Sequence, residues 1–212
     1  MSSHSLSHLH ESTPLTPHSK DSFRHSAVQG GAAGNKAIHR VRTSQSTTVP
    51  RDAVLRCIEA RALAFQGLDV PENHLEPVQL VRYAAGERYH FHTDWFVDPA
   101  HAAAGLGGNR VSSFFGYVAT SANLTGGGTN FPLLDTPRDE RWCELIDCDE
   151  PWDAGVTFRP VAGNAVYWDN LDASGHGDQR TLHAGLPVTS GWKIGMNVWT
   201  REAPLPPAIR GA

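Results

Sequence analysis

The chain has 212 residues and a mass of 23.0 kDa, with 40% hydrophobic and 19% charged residues and a mean hydropathy of −0.36, which is room for one domain with a real core rather than two. A net charge of −4 offers no basic footprint for nucleic acid, and no apolar run is long enough to span a bilayer. The opening MSSHSLSHLHESTPLTPHSK lacks the apolar segment of a secretory signal, so the expectation is a cytoplasmic protein. Its cysteines, Cys57, Cys143 and Cys148, are odd in number and too few for a disulfide scaffold. Cys143 and Cys148 are close enough to bridge, but reduced thiols are the reading adopted. They lack the second pair that a structural zinc would need.

Residues 1–40 hold half of the twelve histidines (His4, His8, His10, His18, His25 and His39) among Ser, Thr and Pro. With neither helical nor strand period, such a segment buries too little apolar area to offset its ordering entropy. The division expected is a disordered polar tail over 1–40 and one domain over 41–212. In PRDAVLRCIEARALAFQG, Val54, Leu55, Ile58, Ala62 and Phe65 form a helical stripe that stops at Gly67. Beyond it the runs PVQLVRY, YHFHTDWF, RVSSFFGYVAT, GVTFRPVAG, NAVYWDN and KIGMNVWTR are short and rich in β-branched and aromatic residues. Gly, Asp and Asn clusters separate them. One helix followed by six or more strands predicts a mainly β sandwich or barrel with a helix packed outside.

Within YHFHTDWF, His90, His92 and Asp94 alternate, so in a strand all three project from one face. Two donors at i and i+2 can grip one ion, and His183 in RTLHAGLPV is the candidate third ligand. Two imidazoles and a carboxylate make the facial arrangement that leaves positions open on Fe(II). His90, His92 and His183 would instead make a three-histidine zinc site that activates water for hydrolysis; spacing does not separate the two. Lys193 favours the first. A turn signal in AGLPVTSGW lets it return beside His183 on the next strand, where its ammonium suits the distal carboxylate of a chelating dicarboxylate.

The ordered blocks RTSQS, VQLVRYAAGERYHFHTD, LTGGGTNFP, PVAGNAVYWDN and GDQRTLHAGLPVTSGWKIGMNVWTR resemble the prolyl 4-hydroxylase-like branch of the Fe(II)/2-oxoglutarate-dependent dioxygenases. The likeness runs from about Arg42 to Arg201. It implies a double-stranded β-helix (jelly roll) with one or more flanking α-helices, and iron ligands His92, Asp94 and His183. His90 falls on no ligand position. It further implies Lys193 on the distal carboxylate of 2-oxoglutarate, Tyr83 and Thr129 as supporting hydroxyls, and Tyr89, Arg110 and Trp199 along the substrate groove. The implied cofactors are Fe(II), 2-oxoglutarate and O₂, with ascorbate as reductant. The implied reaction is hydroxylation of an unactivated C–H bond with succinate and CO₂ as co-products. A prolyl residue, a proline-like amino acid or a small metabolite is the substrate expected, with neither nucleic acid nor membrane as partner. The alternatives are the zinc hydrolase and a non-catalytic jelly-roll binding module. Two departures stand out. The polar tail occupies the place of a strand and helix that the family carries before the RTS block. GGGT replaces a family acidic residue, so Gly128 is expected to loosen a loop at the site.

Overall fold

The computed structural model describes residues 23–26, 42–67, 69–151 and 154–211. A six-stranded antiparallel sheet runs β1 (Arg24–His25), β2 (Gln45–Thr48), β3 (Gln79–Ala84), β12 (Trp192–Arg201), β5 (Arg110–Thr120) and β9 (Ala165–Asp169). A four-stranded sheet runs β4 (Tyr89–His92), β10 (His183–Gly185), β7 (Thr129–Phe131) and β8 (Val156–Phe158), and β6 (Thr125–Gly126) pairs with β11 (Val188–Ser190). Helix α1 (Ala53–Gln66) covers the large sheet, and a short α2 (Pro207–Arg210) follows β12. This is the jelly roll with a flanking helix that the sequence predicts.

Helix α1 begins and ends where its chemistry directs. The Asp52 carboxylate accepts the Leu55 N–H at 2.8 Å, satisfying a donor that the first turn leaves free. Gly67 closes the helix in the left-handed region at φ 63°. Leu55, Ile58 and Ala62 of the expected stripe are buried, whereas Phe65 stays 37% exposed. The buried face also carries Glu59, 1% exposed, which pairs with Arg51 at 2.7 Å and Arg210 at 2.6 Å and so ties α2 to α1.

Strand periodicity divides the core into two layers. Leu80 of β3, Phe114 and Val118 of β5, and Ile194, Met196 and Val198 of β12 join Leu55, Ile58 and Ala62 under the helix. Their sequence neighbours Val81, Tyr83, Phe115 and Tyr117, with Trp168 of β9, face the smaller sheet, where Phe131, Val156 and Phe158 meet them. Polar side chains that face this second layer therefore do so by register, and Lys193 is among them.

Two expectations need correction. Cys143 and Cys148 are bridged, not reduced. The 3₁₀ turn Glu140–Glu144 and the return through buried Ile146 bring their Cα atoms to 5.4 Å, within bonding range. Cys57 is free and exposed. Gly128 is not a point of looseness: a Cβ there would lie 2.5 Å from Thr157 Cγ2, so glycine is what allows β7 to pack on β8. Of the expected tail, Phe23–Ser26 are ordered. Arg24 and His25 pair with Ser46 and Gln45, and the buried Ser26 hydroxyl bonds Ser44. The remainder of 1–40 lies outside the described residues.

Candidate active site

His92 ends β4 and His183 opens β10, and the two are directly opposite across the strand pair. Asp94 lies two residues past the end of β4 and turns inward. Its Oδ1 is 3.7 Å from His92 Nε2 and 3.9 Å from His183 Nε2, and the three donor atoms lie within 4.8 Å of one another. Among the described residues this is the one group of three or more potential ligands. His90 does not join it. Although it lies in β4 with His92, its ring is exposed and accepts the Phe91 N–H. The three-histidine arrangement is therefore not assembled.

The donor set fits a divalent metal in its tautomers as well as its spacing. Each imidazole turns Nδ1 to a backbone carbonyl, His92 to His90 at 2.8 Å and His183 to Thr181 at 2.9 Å, which leaves Nε2 with a free lone pair. The Asp94 carboxylate is polarised in the same way. Oδ2 accepts from Ser113 Oγ at 2.7 Å and from the Trp199 indole at 2.9 Å, so Oδ1 is the oxygen turned to the histidines. Ser113 in turn accepts from Asn170, whose own carbonyl accepts from Trp168. Burial pushes the Asp94 carboxyl up, but His183, His92, Arg110 and the Trp199 bond outweigh it and hold it down to about 2. Burial, with His183 close by, pushes His92 down to about 3. A neutral His92 imidazole and an ionised Asp94 carboxylate are the forms a metal needs.

The triad opens into a cavity of about 690 Å³. Its lining includes Tyr83, Phe115 and Thr129, then Tyr89, Arg110 and Trp199, and also Thr48, Gln79 and Asn197. Tyr89 stacks on His92 with ring centroids 3.6 Å apart and carries the Arg42 guanidinium on its ring at 4.6 Å. Arg110 is buried in a bidentate pair with Glu76 at 2.7 and 2.8 Å, and its guanidinium stacks 3.7 Å from the Trp199 ring centre. Glu76 also receives Arg201 at 3.0 Å.

Lys193 is fully buried, opposite Tyr83 on β3 and Thr120 on β5. Its Nζ donates to the Gly127 carbonyl and lies 4.8 Å from the Tyr83 ring centre. It sits behind the cavity wall rather than in it, and burial pushes its ammonium down to about 7. Thr129 Oγ1 accepts the Tyr117 hydroxyl at 2.7 Å. Tyr117, Glu76, Ser113 and Asn170 carry no motif of their own in the sequence, although Tyr117 and Ser113 continue the inward face of β5. Glu76 and Asn170 come from loops, with no periodic signal.

The sequence profile of the 2OG-Fe(II) oxygenase superfamily matches residues 78–201. The chain belongs to that superfamily. It is 30% identical over 187 residues to probable prolyl 4-hydroxylase 4 of Arabidopsis thaliana, covering 85% of this chain and 59% of the relative. It is 31% identical over 166 residues to prolyl 4-hydroxylase subunit alpha-2 of Gallus gallus, covering 78% and 27%. The chain thus spans about three fifths of the plant relative's length. In fold it is similar to the viral collagen prolyl hydroxylase of Paramecium Bursaria Chlorella virus-1, solved with 2OG, at a TM-score of 0.56 and 24% identity over 76% of this chain and 80% of that one. Among the described residues no helix is long and apolar enough to cross a membrane.

Proposed function

We propose that the chain hydroxylates a prolyl residue of a peptide in an Fe(II)- and 2-oxoglutarate-dependent reaction. The observation that carries this reading is the His92–Asp94–His183 group, which lines a cavity together with Tyr89, Arg110 and Trp199. His92 and His183 would hold the iron through Nε2, and Asp94 through Oδ1. Bound iron with 2-oxoglutarate supplies O₂ activation, with succinate and CO₂ released as a C–H bond is hydroxylated. The chain's own work is orientation and exclusion of water. Lys193, released from the Gly127 carbonyl, would pair with the distal carboxylate, while Tyr83 and the Thr129–Tyr117 pair fix the same molecule. The Tyr89, Arg110 and Trp199 rings and guanidinium form a flat aromatic and cationic wall for the substrate. A cavity of about 690 Å³ has the size of a small-molecule site, roughly 300–1,000 Å³, and the likeness to prolyl 4-hydroxylases is what favours a prolyl residue as substrate.

The test is succinate release from 2-oxoglutarate under O₂ with Fe(II), together with hydroxyproline detection by mass spectrometry, on proline-containing peptides and on free proline. Hydroxylation of peptide and not of proline is expected. Turnover of free proline alone would overturn the peptide assignment, and succinate from neither would overturn the reaction.

A further inference from the structure

Asn123-Leu124-Thr125 is the only Asn-x-Ser/Thr tripeptide in the sequence, and its middle residue is not proline. It sits at the turn that joins β5 to β6, where the Leu124 N–H bonds the Ser121 carbonyl at 3.1 Å. Asn123 is exposed, and its side-chain amide makes a long 3.4 Å bond to Ser190 Oγ. An acceptor tripeptide on an exposed turn is the form that N-linked glycosylation takes in proteins of the secretory route. A tripeptide of this kind also arises by chance, so a second observation must bear on the compartment. The Cys143–Cys148 disulfide does: such bridges persist in oxidising compartments and are rare where glutathione keeps thiols reduced.

We propose that Asn123 carries an N-linked oligosaccharide and that the protein matures in an oxidising, glycosylating lumen rather than the cytoplasm. In the transfer, Asn123 Nδ2 bonds the anomeric carbon of a polyprenyl-diphosphate-linked oligosaccharide. The bond from that carbon to the phosphate oxygen breaks, the diphosphate lipid leaves with the electron pair, and the amide nitrogen gives up one proton to a base. The folded chain accommodates the glycan. Residues 121–125 do not line the cavity, and Arg110 is separated from Thr120 by the length of β5, roughly 33 Å at about 3.3 Å per residue. Lys193, opposite Thr120, is sealed from the surface.

The experiment is peptide mapping of the full chain isolated from its own source cells with thiols blocked at lysis, before and after peptide N-glycosidase. The Asn123 peptide should be missing at its unmodified mass and appear after treatment with an aspartate at 123. Cys143 and Cys148 should take up no alkylating agent until reductant is added. Asn123→Gln and Thr125→Ala should both lose the glycan, and Thr125→Ser should keep it. An unmodified Asn123 overturns the proposal, as do alkylated Cys143 and Cys148. Should Asn123→Gln fail to fold, the wild-type map and the two Thr125 variants still decide. Each readout is a mass, independent of hydroxylase activity.

Discussion

The two faces of β12 do different work with alternate residues of one strand. Ile194, Met196 and Val198 point into the layer under α1, where they pack against Leu55, Ile58, Ala62 and other apolar side chains. Lys193 and Trp199 point the other way, and each has a specific polar partner, Gly127 for one and Asp94 for the other. The helix-side face supplies stability through area removed from water. The inner face gives some of that up to hold charged and polar groups, and a buried ammonium at its centre is a cost that a ligand carboxylate would offset. The lesson is that the site is built as one half of a core.

Substitutions on the two faces should therefore fail differently. The largest effect is expected from Asp94→Ala, which should abolish Fe(II) binding and reduce hydroxylation to background while the far-ultraviolet circular dichroism stays native. Retained iron, measured by elemental analysis after gel filtration, would break the ligand assignment. Lys193→Ala should come next, raising the KM for 2-oxoglutarate sharply with little change in thermal stability.

The same residue predicts a pH dependence. The ammonium of the ligand-free protein is pushed down to about 7, so it is charged below that pH and increasingly neutral above it. Pairing with a carboxylate requires the charged form. The Kd for 2-oxoglutarate, followed by calorimetry, should be lowest below pH 7 and rise as pH increases through it; a Kd independent of pH from 6 to 8 would remove Lys193 from the binding step. Ser113→Ala frees one bond to Asp94 Oδ2 and should weaken Fe(II) binding by roughly 10–100-fold, as loss of groups that orient metal ligands does. Phe114→Ala on the opposite face should cost about 3 kcal/mol of stability in denaturant titration and leave the KM for 2-oxoglutarate unchanged. A changed KM there would erase the division between the faces.

Much of this was legible because a strand writes its two environments into alternate positions. RVSSFFGYVAT and KIGMNVWTR announce two-sided burial, and HFHTD followed by a distant RTLH supplies donors of the types that bind iron. Alternation misled at His90, which shares β4 with His92 but is exposed and accepts the Phe91 N–H instead of joining the group. It said nothing of Glu76, which lies in the loop before β3 and matters because Arg110 and Arg201 both converge on it. The flexible loop expected at Gly128 proved to be a close approach of two strands, a fact that resides in Thr157 rather than in the glycine.

By itself, then, the sequence determined the class of fold, the helix with its Asp52 and Gly67 boundaries, and the chemical types of His92, Asp94, His183 and Lys193, since these follow from local periodicity and residue chemistry. The tertiary structure alone decided which Asp94 oxygen faces the histidines, which ring nitrogens remain free, that the Lys193 ammonium rests on Gly127, and that Cys143 meets Cys148. Those depend on distances between segments far apart in the chain or on the turn of a short loop, and no spacing along the sequence encodes a distance through space.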